Sequence, residues 1–305
     1  MNISFWVNCK PARLRTNAIM AIISSLYAFL LSGENFRKFV CSKISCIKEI
    51  DSSCCIFFSF LALIFIYTCV YFIVLACLLF KDKIRLFKSG ERHSVFVHYG
   101  DIFNDKIIGK KNERYNIVIA VNRCFDTIVD DDLISSRSLH GILFNRLYQE
   151  GIYDQDSLYK EIQNYFQTNS IKSTETISKK NKRKGNNERY PIGTIAEISI
   201  KATKRTYFLL GLTRFNKNLH AELTDVEFDE ALVKLLRFCS SRSQGFPVIM
   251  PLIGSHCLDG KSEQDILTHI VEALRFHKDI MKNDFHIVVS KNAKEDVSIL
   301  NLAGE

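Results

Sequence analysis

A run of 27 residues, Cys54–Phe80, contains no charged side chain and is bracketed by Asp51 and Lys81. As one helix rising about 1.5 Å per residue it reaches about 40 Å, more than the roughly 30 Å hydrocarbon core of a bilayer. A soluble helix of that length needs a polar face, and this run offers only Ser59, Thr68 and scattered tyrosines. It is expected to span a membrane. Thr16–Gly33 is uncharged for 18 residues but carries Asn17, Ser24 and Ser25, which places it at the lower limit for a first span. Lys10, Arg13 and Arg15 ahead of it also fit a signal peptide, although no small-x-small cleavage pattern closes the stretch. Both readings leave the C-terminal part on the cytoplasmic side. The cations agree, with Lys10, Arg13, Arg15, Lys81, Lys83, Arg85, Lys88 and Arg92 on the outer flanks against Arg37, Lys38, Lys43 and Lys48 between the spans. Residues 1–91 are thus expected to form a multi-pass membrane region and 92–305 a soluble domain beginning near Arg92.

Beyond Arg92 short β-rich runs alternate with helical patterns, the mark of an α/β fold with a largely buried sheet. Strands are expected at Val95–Tyr99, Asn116–Val121, Thr194–Lys201, Thr206–Leu212, Pro247–Pro251 and Phe285–Ser290. Thr224 followed by Glu227, and Ser262 followed by Asp265, are helix-start signals, each leading into an apolar stripe. Leu139–Glu150 reads as a helix closed by Gly151, and Leu158–Phe166 as another. The polar stretch 168–189 reads as a flexible basic insertion.

The formal charge of +8 suits a phosphate-bearing partner without choosing among nucleic acid, anionic lipid and nucleotide. Much of it is local, in Lys179–Lys184 and directly after the second span, and neither run resembles a base-reading surface, so no nucleic-acid partner is expected. The ten cysteines form no CxxC, no HExxH or zinc-like spacing occurs, and no disulfide or metal site is assigned.

Three loops at strand ends are placed to hold a ligand. Tyr99-Gly100-Asp101-Ile102 sets a carboxylate just after a strand, where it can accept from an amino group such as that of adenine, although Gly-Asp is also ordinary turn chemistry. Val121-Asn122-Arg123-Cys124-Phe125-Asp126 continues to Ser138-Leu139-His140-Gly141 at a helix start, which either cradles a phosphate or is a serine cap. Pro251–Gly260 breaks from a strand into a glycine-bearing loop whose amides can form an anion nest. Neither Walker nor Rossmann spacing occurs.

Taken in order, Gly100-Asp101-Ile102, Val121-Asn122, Ser138–Gly141, Tyr190-Pro191-Ile192-Gly193 and Phe246-Pro247 leading to Pro251–Ser255 resemble a macro domain, the module that binds ADP-ribose and related nucleotides. Two spans joined to such a domain resemble the membrane effector of type II Thoeris antiphage defence. The resemblance implies a three-layer α/β/α domain with a mixed sheet behind two transmembrane helices, in a bacterial inner membrane with the macro domain in the cytoplasm. It implies Asp101 and Ile102 at adenine and Asn122 beside the distal ribose. The diphosphate falls to Ser138, Leu139, His140 and Gly141, with Gly254, Ser255, His256, Cys257 and Leu258 opposite. It also implies a TIR-domain partner that turns NAD into a histidine-linked ADP-ribose signal, with binding driving homo-oligomerisation and membrane disruption. Phe125 and Ser138-Leu139-His140 stand where macro hydrolases commonly carry a second Asn and a glycine-rich turn, so a non-catalytic receptor without cofactor is expected. A membrane-tethered ADP-ribosyl hydrolase is the alternative.

Overall fold

The computed structural model describes residues 12–25, 52–89, 92–104, 107–108, 113–255, 257–258 and 260–304, the side chains of 52–62, 79, 303 and 304 excepted. It divides into two compact units, Met1–Asp82 with Ser298–Glu305, and Lys83–Val297.

In the first unit residues 12–25 are helical, and a second helix, α1, runs over Ser52–Leu79 without a charged residue. Hydroxyls on both helices bond back to their own turns, Ser25 Oγ to the Ala21 carbonyl at 2.7 Å and Thr68 Oγ1 to that of Ile64 at 2.9 Å. Tyr67 on α1 donates to Asn17 Oδ1 at 3.0 Å, tying the two helices together. Among the described residues no helix is long and apolar enough to cross a membrane. The described side chains of α1 cover only 63–78, about 24 Å at the helical rise. The expected first span falls partly on residues 26–33, outside the described residues.

The second unit runs β1 (Lys83–Ser89), β2 (His93–Gly100), β3 (Tyr115–Asn122), α2 (Leu139–Gln149), α3 (Gln155–Thr168), β4 (Glu175–Thr176), β5 (Glu188–Arg189), β6 (Ile195–Ile200), β7 (Arg205–Phe215), β8 (Ala221–Glu222), α4 (Asp225–Arg242), β9 (Val248–Pro251), α5 (Glu263–Phe276) and β10 (Phe285–Ser290). The sheet has the order β1-β2-β10-β9-β3-β7-β6, with β8 on β7 and a separate β4–β5 pair. The inner five strands are parallel, and β1 and β6 close the two sides antiparallel. All six strands expected from the sequence are present. The Val, Ile and Leu of the inner strands are buried, as a sheet covered on both faces requires. One face meets Leu143, Phe144 and Leu147 of α2 and Leu158, Ile162 and Phe166 of α3. The other takes α4, whose Phe238 sits edge-on to Phe208 of β7 at 5.1 Å.

The helices start where their sequences say. Thr224 with Glu227 and Ser262 with Asp265 form reciprocal capping boxes, and Asp154 with Ser157 forms a third. Gly151, at φ +66°, follows α2.

Two expectations need correction. The compact unit begins at Lys83 rather than near Arg92, because β1 pairs with β2 from Lys83 opposite His98 to Ser89 opposite His93. Its alternating Lys83, Arg85 and Lys88, read as the cationic flank of a span, suit an edge strand, where charge discourages further pairing. The stretch 168–189, expected to be a flexible insertion, stays largely exposed but is pinned to the domain by buried Ile177 and Lys182 and carries the β4–β5 pair.

Candidate functional site

Strand register gathers the loops named by the sequence at one edge. Gly100 lies beside Ser290, Val288 beside Pro251, and Asn122 beside Thr213, so β2, β10, β9, β3 and β7 all end together. Such carboxyl-terminal edges are where open α/β sheets bind ligands.

At the end of β2, Asp101 is exposed and its Oδ1 accepts from the Phe103 amide at 2.9 Å, as in an Asx turn. Ile102 belongs to the core. At the end of β3, Asn122 is buried, and its Oδ1 accepts from the Cys124 amide at 3.0 Å. Its Nδ2 makes no well-aligned hydrogen bond, and its one close acceptor is the Asp126 carboxylate, whose pKa it helps to lower. Phe125 takes a left-handed φ of +50° and packs edge-on to Phe166 and Tyr190. Gly211 leaves it room, since a Cβ there would stand 3.1 Å from the ring. Phe125 is therefore core and touches no open crevice.

Asp126, 1% exposed, was given no role of its own from the sequence and is the centre of this loop. Lys182 Nζ reaches its Oδ2 at 2.6 Å and also donates to the Asn186 carbonyl at 2.7 Å. The Asn186 amide donates to Asp126 Oδ1 at 2.5 Å, and Asn186 Nδ2 donates to the carbonyls of Cys124 and Phe125. The Tyr190 amide bonds the Arg123 carbonyl at 2.9 Å, and Arg123 Nε returns a bond to the Tyr190 carbonyl. Segment 182–190 thus lies along loop 123–126 as a clasp. Burial pushes the Asp126 carboxyl above its ordinary range, with Lys182 pulling it back. Arg183 pairs with Asp132, and Lys184 with Asp130 and Asp132, so three of the five cations of the basic run are spent within the domain.

At the start of α2, Ser138 is an N-cap: its Oγ accepts from the Gly141 amide at 3.0 Å and donates to the Ser135 carbonyl. Gly141 is obligatory, because a Cβ would sit 2.1 Å from the Ser135 oxygen. The amides of Leu139 and His140 head the helix, and Leu139 is partly exposed. The His140 ring is buried edge-on to Phe144, with centroids 4.4 Å apart. Burial lowers its pKa to about 3, opposed by a bond to the Asp126 backbone carbonyl, and its Nε2 has no partner. A buried polar atom left unpaired costs about 1–3 kcal/mol.

In the loop after β9, Gly254 takes φ +82° against Phe228 of α4. The Cys257 amide closes a turn onto the Gly254 carbonyl at 3.1 Å and is not free for an anion, while Ser255 stays partly exposed. Leu258 is buried. His256 lies outside the described residues. Nearby, Arg123 and Arg214 share Glu227 Oε1 at 3.2 and 2.8 Å, and Arg189 pairs with Glu175. Sequence reading missed this arginine group, whose members are scattered between Arg123 and Arg214.

A cavity of about 370 Å³ lined by Glu197, Ser199 and Arg242 lies where β7 begins and α4 ends, away from this edge. It holds none of the three loops, which gather instead at the carboxyl-terminal edge of the parallel strands.

Residues 95–290 match the family described as Thoeris protein ThsA, Macro domain. The chain belongs to that family. It is also 27% identical over 182 residues to Thoeris protein ThsA of Bacillus amyloliquefaciens (strain Y2), covering 58% of this chain and 53% of the relative, so it spans about half the relative's length. Among solved structures the Oceanobacillus iheyensis macrodomain with MES bound is 13% identical, with a TM-score of 0.43 over 72% of this chain and 93% of its own. The macrodomain of Mycobacterium tuberculosis DarG is 14% identical, with a TM-score of 0.35 over 62% and 96%.

Proposed function

We propose that this ThsA-family chain is an antiphage defence effector. In this reading its macro domain receives an ADP-ribose-type nucleotide, a histidine-linked ADP-ribose, made from NAD by a TIR-domain partner. Binding promotes assembly of several copies and disrupts the bacterial inner membrane. The observation that carries the reading is the family match over 95–290, which includes every strand that feeds the loop edge from β2 to β10. The Asn122 Nδ2 donor and the amides heading α2 lie at that edge, in keeping with a ligand of sugar and phosphate.

A receptor is favoured over a hydrolase because the groups that would act in chemistry are engaged. Asp126 is held by Lys182, Asp101 accepts a bond within its own turn, and burial pushes the thiols of Cys124 and Cys257 upward. The membrane role rests on α1, whose side chains include exposed Phe65 at 69% and Ile73 at 63% on an uncharged helix. Apolar groups so displayed call for lipid or a partner helix, and hydroxyls bonded to their own backbone suit an apolar medium. The macro domain then lies in the cytoplasm.

Calorimetric titration of the full chain in lipid nanodiscs with ADP-ribose and with its histidine conjugate tests the ligand. Saturable binding of either supports the reading, and no heat with any NAD-derived nucleotide removes it. Release of ADP-ribose from a modified protein substrate would favour the hydrolase.

A further inference from the structure

The chain crosses between its two compact units twice, from Asp82 into Lys83 and back from Val297 into Ser298. Strand register brings both crossings to the edge where the candidate loops gather. Lys83 stands opposite His98, two positions before Gly100, and Ser290, the last residue of β10, stands beside Gly100 itself. The crossings differ in how firmly the chain is held. Residues 80–82 are exposed, Phe80 at 84%. At the return, Val297, Ser298, Ile299, Leu300 and Leu302 are all buried. The approach to the return is also tied down. From Ser290 the chain enters a short 3-10 helix, Lys291–Glu295, where Ser290 Oγ accepts from the Asn292 amide at 3.3 Å and the Ala293 carbonyl accepts from the Val297 amide at 2.8 Å. The Tyr99 hydroxyl at the end of β2 donates to the Val297 carbonyl at 2.6 Å, and Lys294 Nζ lies 5.1 Å from the centre of the Tyr99 ring.

We infer that residues 291–302 form a strap that couples the nucleotide-receiving edge to the first unit, with the Tyr99 hydroxyl and the Val297 carbonyl as its latch. Tyr99 directly precedes Gly100-Asp101-Ile102, so a displacement of that loop is carried through the latch to Val297. One peptide bond further on the chain belongs to the first unit, where Ile299, Leu300 and Leu302 are buried. Close-packed side chains pass on a shift, whereas an exposed link such as 80–82 absorbs it by bending, which makes the return crossing the route. Coupling of this kind is reciprocal: a nucleotide that moves the strap is bound with an affinity that the position of the strap sets. The inference rests on the nucleotide-receptor reading and adds the path by which binding reaches the unit that carries α1.

Hydrogen exchange at the backbone amides of 298–302, measured on the full chain in lipid nanodiscs with and without ADP-ribose or its histidine conjugate, tests the strap. Bound nucleotide is expected to shift those rates about tenfold, a coupling of ordinary size. Inserting Gly-Ser-Gly between Val297 and Ser298 keeps every side chain but breaks the continuity of the strap, and is expected to abolish the shift while the nucleotide still binds. The same insertion between Lys81 and Asp82 is expected to leave the shift intact. Unchanged rates in a wild type that binds nucleotide, or a shift that survives the insertion after Val297, overturn the inference. Where that insertion prevents folding, Tyr99→Phe, which removes only the latch hydroxyl, takes its place and should reduce the shift; a shift of full size overturns the latch. A wild type that binds neither nucleotide overturns the receptor reading, and the strap with it, which is a separate result.

Discussion

Removing the ammonium of Lys182 while keeping Asp126 leaves a carboxylate that is 1% exposed without its cation. Breaking a buried pair from one side costs about 3–5 kcal/mol, whereas replacing both partners by apolar residues is often neutral. Lys182→Met is therefore expected to lower the denaturation midpoint sharply, with Asp126→Leu/Lys182→Met recovering most of it; equal losses would mean the pair does not hold the clasp. Gly141→Ala forces its Cβ against the Ser135 carbonyl and is expected to cost about 1–3 kcal/mol in a denaturant titration, as overpacking does. Reading the sequence reached Asn122, His140 and Gly141 by their place after strands and at a helix start. It missed the pairing of Asp126 with Lys182 because they stand 56 positions apart, and a lysine in a basic run reads as solvated until the fold supplies its carboxylate.

Elements were more legible than their edges. Six strands and four helices of the second unit follow from apolar periodicity and caps, since those signals are local. β1 was not legible, because an edge strand with alternating lysines lacks the apolar run that marks a buried one. A chain beginning at Lys83 is therefore expected to melt higher than one beginning at Arg92, which loses the whole β1 pairing, and equal melting temperatures would make β1 an ornament of the sheet. Between β2 and β10, His98 Nε2 meets His286 Nδ1 at 2.8 Å, with Phe96 stacked on His286 and Lys83 of β1 nearby. Burial depresses their pKa values from 6.5 to about 4 and about 3. The unfolded chain therefore takes up protons that the folded one refuses once the pH falls below about 6.5. The stability these neutral rings contribute is complete above that pH and is lost progressively on acidification toward pH 4. Denaturation midpoints measured from pH 7.5 to 4.5 should show this slope, and His98→Phe/His286→Phe should lessen it, the remainder coming from the likewise buried His140.

At the scale of the whole molecule, one chain carries both the proposed nucleotide-receiving edge and an uncharged helix. Leu63→Lys/Ile64→Lys places two charges in the middle of α1, where each is expensive in hydrocarbon. It is expected to abolish toxicity in cells while nucleotide binding by the macro domain persists; full toxicity at equal expression would leave α1 a passive tether. Coupling further requires the nucleotide to bind the assembled state more tightly than the resting one. The most direct measurement is dye release from anionic liposomes carrying the purified full chain, read as ADP-ribose or its histidine conjugate is titrated in. Release that rises with nucleotide and saturates with its binding curve is predicted, and release that ignores the nucleotide, or intact liposomes at saturating nucleotide, would contradict the account.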